Sequence, residues 1–197
     1  MKSHLVFALA AAAVAGATSA QTPPAAVAPQ QHIDINSKLI NTPDSSWNVY
    51  GPDQTSKRLE KGGPQNYPAY EVNVSKPGKN AWDDGAVSVI PKPVGAGDVI
   101  LVAIYLRAPN LADGQTETLP LIGATGAAAP YPAIAGAPAT VTNQWKLYFA
   151  SGKAPQAFPA SGTQATVHLG GAKHVIQLGP VKVYDFGPDF DIKRLPH

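Results

Sequence analysis

Proline and glycine punctuate this chain at short intervals, 20 of one and 18 of the other in 197 residues. That density favours short strands joined by turns over long helices. Between the breaks, alternation is the recurrent pattern. "AYEVNV" sets Tyr70, Val72 and Val74 on one face and Glu71 and Asn73 on the other. "AVSVI", after Gly85, reads as a second strand. In "DVILVAIYLRA", Ile100, Val102, Ile104 and Leu106 make an unbroken apolar face, and the opposite face turns polar only at Tyr105 and Arg107. "QWKLYFA" alternates Trp145, Leu147 and Phe149 against Lys146 and Tyr148, which predicts Trp145 in the core. "QATVHLG" sends Ala165, Val167 and Leu169 inward, leaving Gln164, Thr166 and His168 outward. "HVIQLGPVKVYDF" reads as a long strand bent at Gly179-Pro180, because proline cannot donate to a central ladder. No helical periodicity follows the first twenty residues. The expectation is all-β: a two-sheet antiparallel β-sandwich of jelly-roll type.

Those first residues have a different character. A short basic start, Met1-Lys2-Ser3-His4, leads into the apolar run "LVFALAAAAVAGA" and then the small residues "TSA". The run is too short to span a bilayer, and the pattern predicts a secretory signal peptide over residues 1–20, hence a secreted or periplasmic product with no membrane insertion. Cleavage there leaves 177 residues with 14 basic and 13 acidic side chains. Residues 21–31, "QTPPAAVAPQQ", read as a Pro/Ala-rich disordered leader, and residues 32–197 as one domain. The absence of cysteine excludes disulfides and a lipid-modified N-terminus. Near-neutral charge without a basic stripe gives no footprint for nucleic acid.

Four stretches then add a resemblance. "GDVILVAIYLRA" resembles a strand of galactose-binding-like jelly rolls, especially carbohydrate-binding modules of families four and nine. "YPAIAGAPATVTNQWKLYFASG" and "VHLGGAKHVIQLGPVKV" are similar to later segments of those modules, and "NSKLINTPDSSWNVYG" to their opening one, without its usual Gly-Phe pair. The resemblance spans roughly residues 33–187. It implies a non-catalytic module that binds a polysaccharide or oligosaccharide and accompanies a glycoside hydrolase. No hydrolase sequence follows here, so the expectation is a polysaccharide-binding module that acts alone or associates with such an enzyme; the rival reading is a structural or protein-interaction sandwich that docks on a secreted glycoside hydrolase or an envelope partner.

Sugar recognition needs flat apolar rings and planar hydrogen-bonding side chains. Tyr105 and Arg107 share one outward face; Gln164 and His168 share another; Gln177 is outward if Ile176 and Leu178 are inward. In the usual jelly-roll order these five converge on one concave sheet. Trp82, in the turn-rich "GKNAWDDGA", and Tyr131, in "AAAPYPAIAG", are candidate stacking platforms in loops, and Trp47 fits core and platform equally. "GGAK" reads as the turn of a hairpin that places His168 and His174 on opposite sides of one sheet, against a shared metal site. Catalytic motifs are missing: no Gly-x-Ser-x-Gly, His-Glu-x-x-His, P-loop or cysteine nucleophile occurs, and adjacent Asp83 and Asp84 do not make a glycosidase pair. No cofactor is expected. The acids at Asp83-Asp84 or within Asp185–Asp191 are candidate donors to a structural Ca²⁺ of the kind jelly-roll modules hold, although acids in surface turns are more often simply solvated.

Overall fold

The computed structural model describes residues 34–196, so the expected signal peptide and leader lie outside the described residues. Ten strands form two antiparallel five-stranded sheets. The front sheet has the order β1-β4-β9-β6-β7 and the back sheet β2-β3-β10-β5-β8. In chain order the strands are β1 (Asn48–Tyr50), β2 (Gln54–Leu59), β3 (Ala69–Val74), β4 (Gly85–Ile90), β5 (Val99–Arg107), β6 (Glu117–Gly126), β7 (Ala133–Val141), β8 (Lys146–Lys153), β9 (Thr163–His168) and β10 (His174–Asp185).

The core lies between the sheets and follows the alternation. Ile100, Val102, Ile104 and Leu106 of β5 are fully buried against Ala86 and Ile90 of β4, Leu119 and Ile122 of β6, and Ala165 and Val167 of β9. Val72 and Val74 join them from β3, and Trp47 lies among them with its indole N–H donating to the Gly179 carbonyl at 2.9 Å. That settles Trp47 as core. The opposite face of β5 is apolar too because it is covered. Val99, Leu101 and Ala103 form a second cluster with Tyr184 and Leu195, against which Phe186, Phe190 and Ile192 pack from the C-terminal segment. At Gly179-Pro180 the register of β10 on β5 shifts between Leu178 and Val181, the expected irregularity. Beyond it β10 has lost β3 as neighbour, and Ile40, Asn41 and Asp44 take over: Ile40 donates to the Val183 carbonyl at 2.9 Å, and the Asn41 side chain accepts from the Val183 amide at 2.7 Å.

Two expectations fail here. β9 and β10 are not a hairpin: β9 pairs with β4 and β6 in the front sheet, β10 with β3 and β5 in the back sheet, and Leu169–Lys173 crosses between them. Each strand has both edges occupied, so no edge remains for the other. Trp145 is not core either: it shares the outward face of β8 with Leu147 and with Phe149, which packs on the second cluster. Tyr148 stands opposite inward Ile104 and packs on the core, so its neighbours point outward, and Leu147 is 36% exposed. Alternation along β8 was read correctly, but with the wrong face turned inward.

Candidate functional site

The seven candidate residues divide between the two outer faces. β5 and β10, which carry Tyr105, Arg107 and Gln177, belong to the back sheet; β9, which carries Gln164 and His168, belongs to the front sheet. The expected convergence on one sheet therefore does not occur. The cause is again the crossover after β9, which alternation cannot reveal.

On the back, one row of side chains bonds to itself across the sheet. Lys57 pairs with Glu71 at 2.7 Å, the Gln177 amide donates to Glu71 at 2.6 Å, and Arg107 Nε donates to the Gln177 oxygen at 2.6 Å. The Arg107 guanidinium lies 4.9 Å from the centre of the Trp145 ring, and the Trp145 indole donates to the Gly62 carbonyl at 3.1 Å. The hydrogen bond from Lys57, reinforced by Gln177 and by the charges of Lys57 and Arg107, holds the Glu71 carboxyl below its usual range against the opposing pull of burial. Burial pushes the Arg107 guanidinium down, with Glu71 resisting. Tyr105 sits one row further along, where the loop after β2 folds onto the sheet. A Cβ built at Gly179 would stand 2.9 Å from Tyr105 Cβ, 3.1 Å from Pro64 Cδ and 3.2 Å from Trp145 Cζ3, so there is no gap above that glycine. Gln177 is buried. This face is closed by its own side chains, a loop and the C-terminal segment.

The front is built differently. Since Ala86, Ile90, Ala165, Val167 and Ile122 face the core, the residues between them point out. Register then sets three rows: Tyr50, Gly85, His168 and Leu121; next Asn48, Val87, Thr166 and Gly123; next Val89, Gln164 and Thr125. Trp82, in the loop before β4, is 59% exposed and meets His168 edge-on, ring centres 6.3 Å apart and planes at 63°. Tyr131, in the loop between β6 and β7, is 56% exposed with a positive φ of 55°. Tyr50 lies over Gly85, where a Cβ would stand 2.5 Å from the phenol oxygen. Burial, then the Asp84 carboxylate, then the Tyr131 phenol push the Tyr50 hydroxyl above its ordinary value, and burial alone pushes the His168 imidazole below its own. His168 is thus held as a neutral ring able both to donate and to accept.

The front face therefore gathers Trp82, Tyr131, Gln164 and His168 from the expected set and adds Tyr50. Sequence reasoning passed over Tyr50 because "NVY" is a three-residue strand with little alternation to read; its place just before Gly51, which has φ 122°, is the one local mark of a turn that re-aims the chain.

Other expectations can be placed as well. Among the described residues no three His, Asp or Glu side chains gather to hold a metal. Asp83 instead accepts from the Asn80 amide at 2.8 Å, and Asp84 from the Asp53 amide at 3.0 Å. His174 is buried with Nδ1 against Glu117, beside a cavity of about 280 Å³ that none of the seven candidates lines. Among the described residues no helix is long and apolar enough to cross a membrane.

No protein-family model matches the chain, and no curated protein does. Solved structures do. The N-terminal family-22 carbohydrate-binding and family-10 hydrolase modules of Clostridium thermocellum endo-1,4-β-D-xylanase 10B, complexed with xylohexaose, align with a TM-score of 0.55 at 15% identity, covering 78% of this chain and 30% of that one. The second N-terminal cellulose-binding domain of Cellulomonas fimi β-1,4-glucanase C aligns at 0.53 and 22% identity, covering 75% of this chain and 94% of that domain. A family-4 carbohydrate-binding module aligns at 0.53 and 18%, covering 71% and 94%. The chain thus spans under a third of the xylanase chain and matches the isolated modules almost end to end. Its fold is the antiparallel β-sandwich of carbohydrate-binding modules.

Proposed function

We propose that this protein is a secreted, non-catalytic polysaccharide-binding module, and that the glycan lies on the front face between Trp82 and Tyr131. The observation that carries this reading is the contrast in commitment: Trp82 and Tyr131 stand exposed on the front beside amide, hydroxyl and imidazole groups, while the polar row of the back is bonded to itself, with Leu147 and, in the loop after β2, Tyr67 exposed on that side. Pyranose C–H faces stack on Trp82, Tyr131 and Tyr50, and ring hydroxyls exchange hydrogen bonds with Gln164, Asn48 and His168. The strands of this face offer one acid, Glu117, which is engaged with His174, so they supply no carboxylate pair for glycoside cleavage. The N-terminal sequence pattern supports secretion, and the likeness to xylan- and cellulose-binding modules supports plant-type polymers, presented to a separate glycoside hydrolase, as the first to try. The test is retention in gels cast with xylan, mixed-linkage β-glucan or hydroxyethyl cellulose. At least one should retain the protein, and Trp82→Ala with Tyr131→Ala should release it while Tyr105→Ala with Arg107→Ala should not. Retention unaffected by the first pair would overturn the assignment of the face, and no retention by any polymer would overturn the function.

A further inference from the structure

Charge is segregated between the sheets. The back-sheet strands carry Lys57, Arg58, Arg107, Lys146, Lys153 and Lys182 with the acids Glu71 and Asp185. The front-sheet strands carry no lysine or arginine at all, and their one acid is the Glu117 already paired at the end of the sandwich. At the rim, the loop bearing Trp82 brings Lys79 and Asp83, whose carboxylate is bonded to Asn80. Under the Tyr50 end lies an acidic side chain, Asp84. Asp84 is fully buried; one carboxylate oxygen accepts from the Asp53 amide, and the other has no partner. The lysine nearest by hydrogen-bonding chain, Lys76, is spent on the Asp53 carboxylate at 3.2 Å.

An anionic glycan laid on the strands of this face meets no lysine or arginine there to replace the water stripped from its carboxylates or sulfates. Stripping an ion of water without a partner costs far more than a neutral hydroxyl exchange. Neutral hydroxyls lose nothing comparable, since amide, hydroxyl and imidazole groups replace their water. We infer that the front face selects uncharged glycans and rejects uronate-bearing or sulfated ones, because the strands that form its floor carry no lysine or arginine to pair with an anion. This rests on the proposed binding face and adds to it a substrate class and a mode of binding: stacking and neutral hydrogen bonds without ion pairing, and so without the salt dependence that ion pairing brings.

The experiment compares a neutral polymer that the protein binds with a carboxylated form of the same polymer, made by oxidising the primary hydroxyls of a glucan or by carboxymethylating a xylan, by affinity electrophoresis and calorimetry. Carboxylation should weaken binding at least about tenfold at low salt. Affinity for the neutral polymer should change less than about twofold between roughly 20 mM and 500 mM NaCl. Val89→Arg, at an outward position already 56% exposed, places a cation on the floor without disturbing the core, and it should recover several-fold of the affinity lost on carboxylation at low salt. Equal or tighter binding of the carboxylated polymer by the parent protein, or a steep salt dependence on the neutral one, overturns the inference and leaves polysaccharide binding standing. Failure to bind any polymer, neutral or carboxylated, overturns both.

Discussion

The two sheets present the same kind of apolar surface to each other and opposite kinds of surface to the outside. The back sheet has the charges, and its central row is bonded to itself: Lys57, Glu71, Gln177 and Arg107 are linked in sequence, Arg107 is stacked on Trp145, and Phe186, Phe190 and Leu195 cover the apolar face of β5. The front sheet has almost no charge and leaves its rings open. A polar face is thus no sign of a binding face. What distinguishes a binding surface is hydrogen-bonding capacity and ring area left uncommitted, and by that measure the less polar sheet is the better candidate.

That contrast can be broken from its largest expected effect down. Ile104→Ala, in the core shared by both sheets, should cost about 2–5 kcal/mol in chemical denaturation and weaken both faces alike; a loss under about 1 kcal/mol would mean the sheets are not packed as described. Trp82→Ala should cost binding about 2 kcal/mol, roughly thirtyfold, with the melting temperature unchanged because the ring is exposed. Gly85→Ala drives a methyl into Tyr50 and toward the Val167 carbonyl, so it should cost about 1–3 kcal/mol of stability and also weaken glycan binding, though every aromatic residue is retained. Arg107→Ala should do the reverse of Trp82→Ala, lowering stability by about 1 kcal/mol through the loss of its bond to Gln177 and its stacking on Trp145, with glycan binding intact.

The smallest effect is in pH. Because the folded imidazole of His168 sits below its ordinary 6.5, the unfolded chain takes up that proton first; the stability this neutral ring lends is complete above 6.5 and is lost as pH falls through the folded value. Glu71, held below its ordinary 4.5, likewise contributes stability above 4.5 that is lost as pH falls through its folded value. Acidification should therefore weaken the front face before the back. Melting curves from about pH 8 to about pH 2 should show both steps, and His168→Gln should flatten only the upper one.

Much of the fold was legible because strand alternation is a local property. β3, β4, β5, β8, β9 and β10 were each readable from apolar residues at every second position, and the bend at Gly179-Pro180 from the missing donor. β6 and β7 were not. "ETLPLIGATG" and "AIAGAPATV" contain proline, glycine and alanine where strands usually carry branched or aromatic side chains, and these residues are strands because they pair with each other and with β9, their register shifting between Leu119 and Ile122 near Pro120. Trp82 and Tyr131 were found as rings in turn-rich sequence, and Gln164 and His168 as outward positions of one strand. Tyr105, Arg107 and Gln177 were equally outward, and nothing local separates them from the other two.

By itself, then, the sequence determined the all-β class, most strand positions and which side chains alternate along them, since each depends on steric and solvation preferences acting over a few residues. Only the tertiary structure decided which outward face is open. That choice depends on β9 and β10 entering different sheets, on the C-terminal segment folding back over β5, and on Tyr50 being brought across Gly85 toward His168. These are contacts between residues far apart in the chain, and they are set by how the whole core closes rather than by any spacing within a strand.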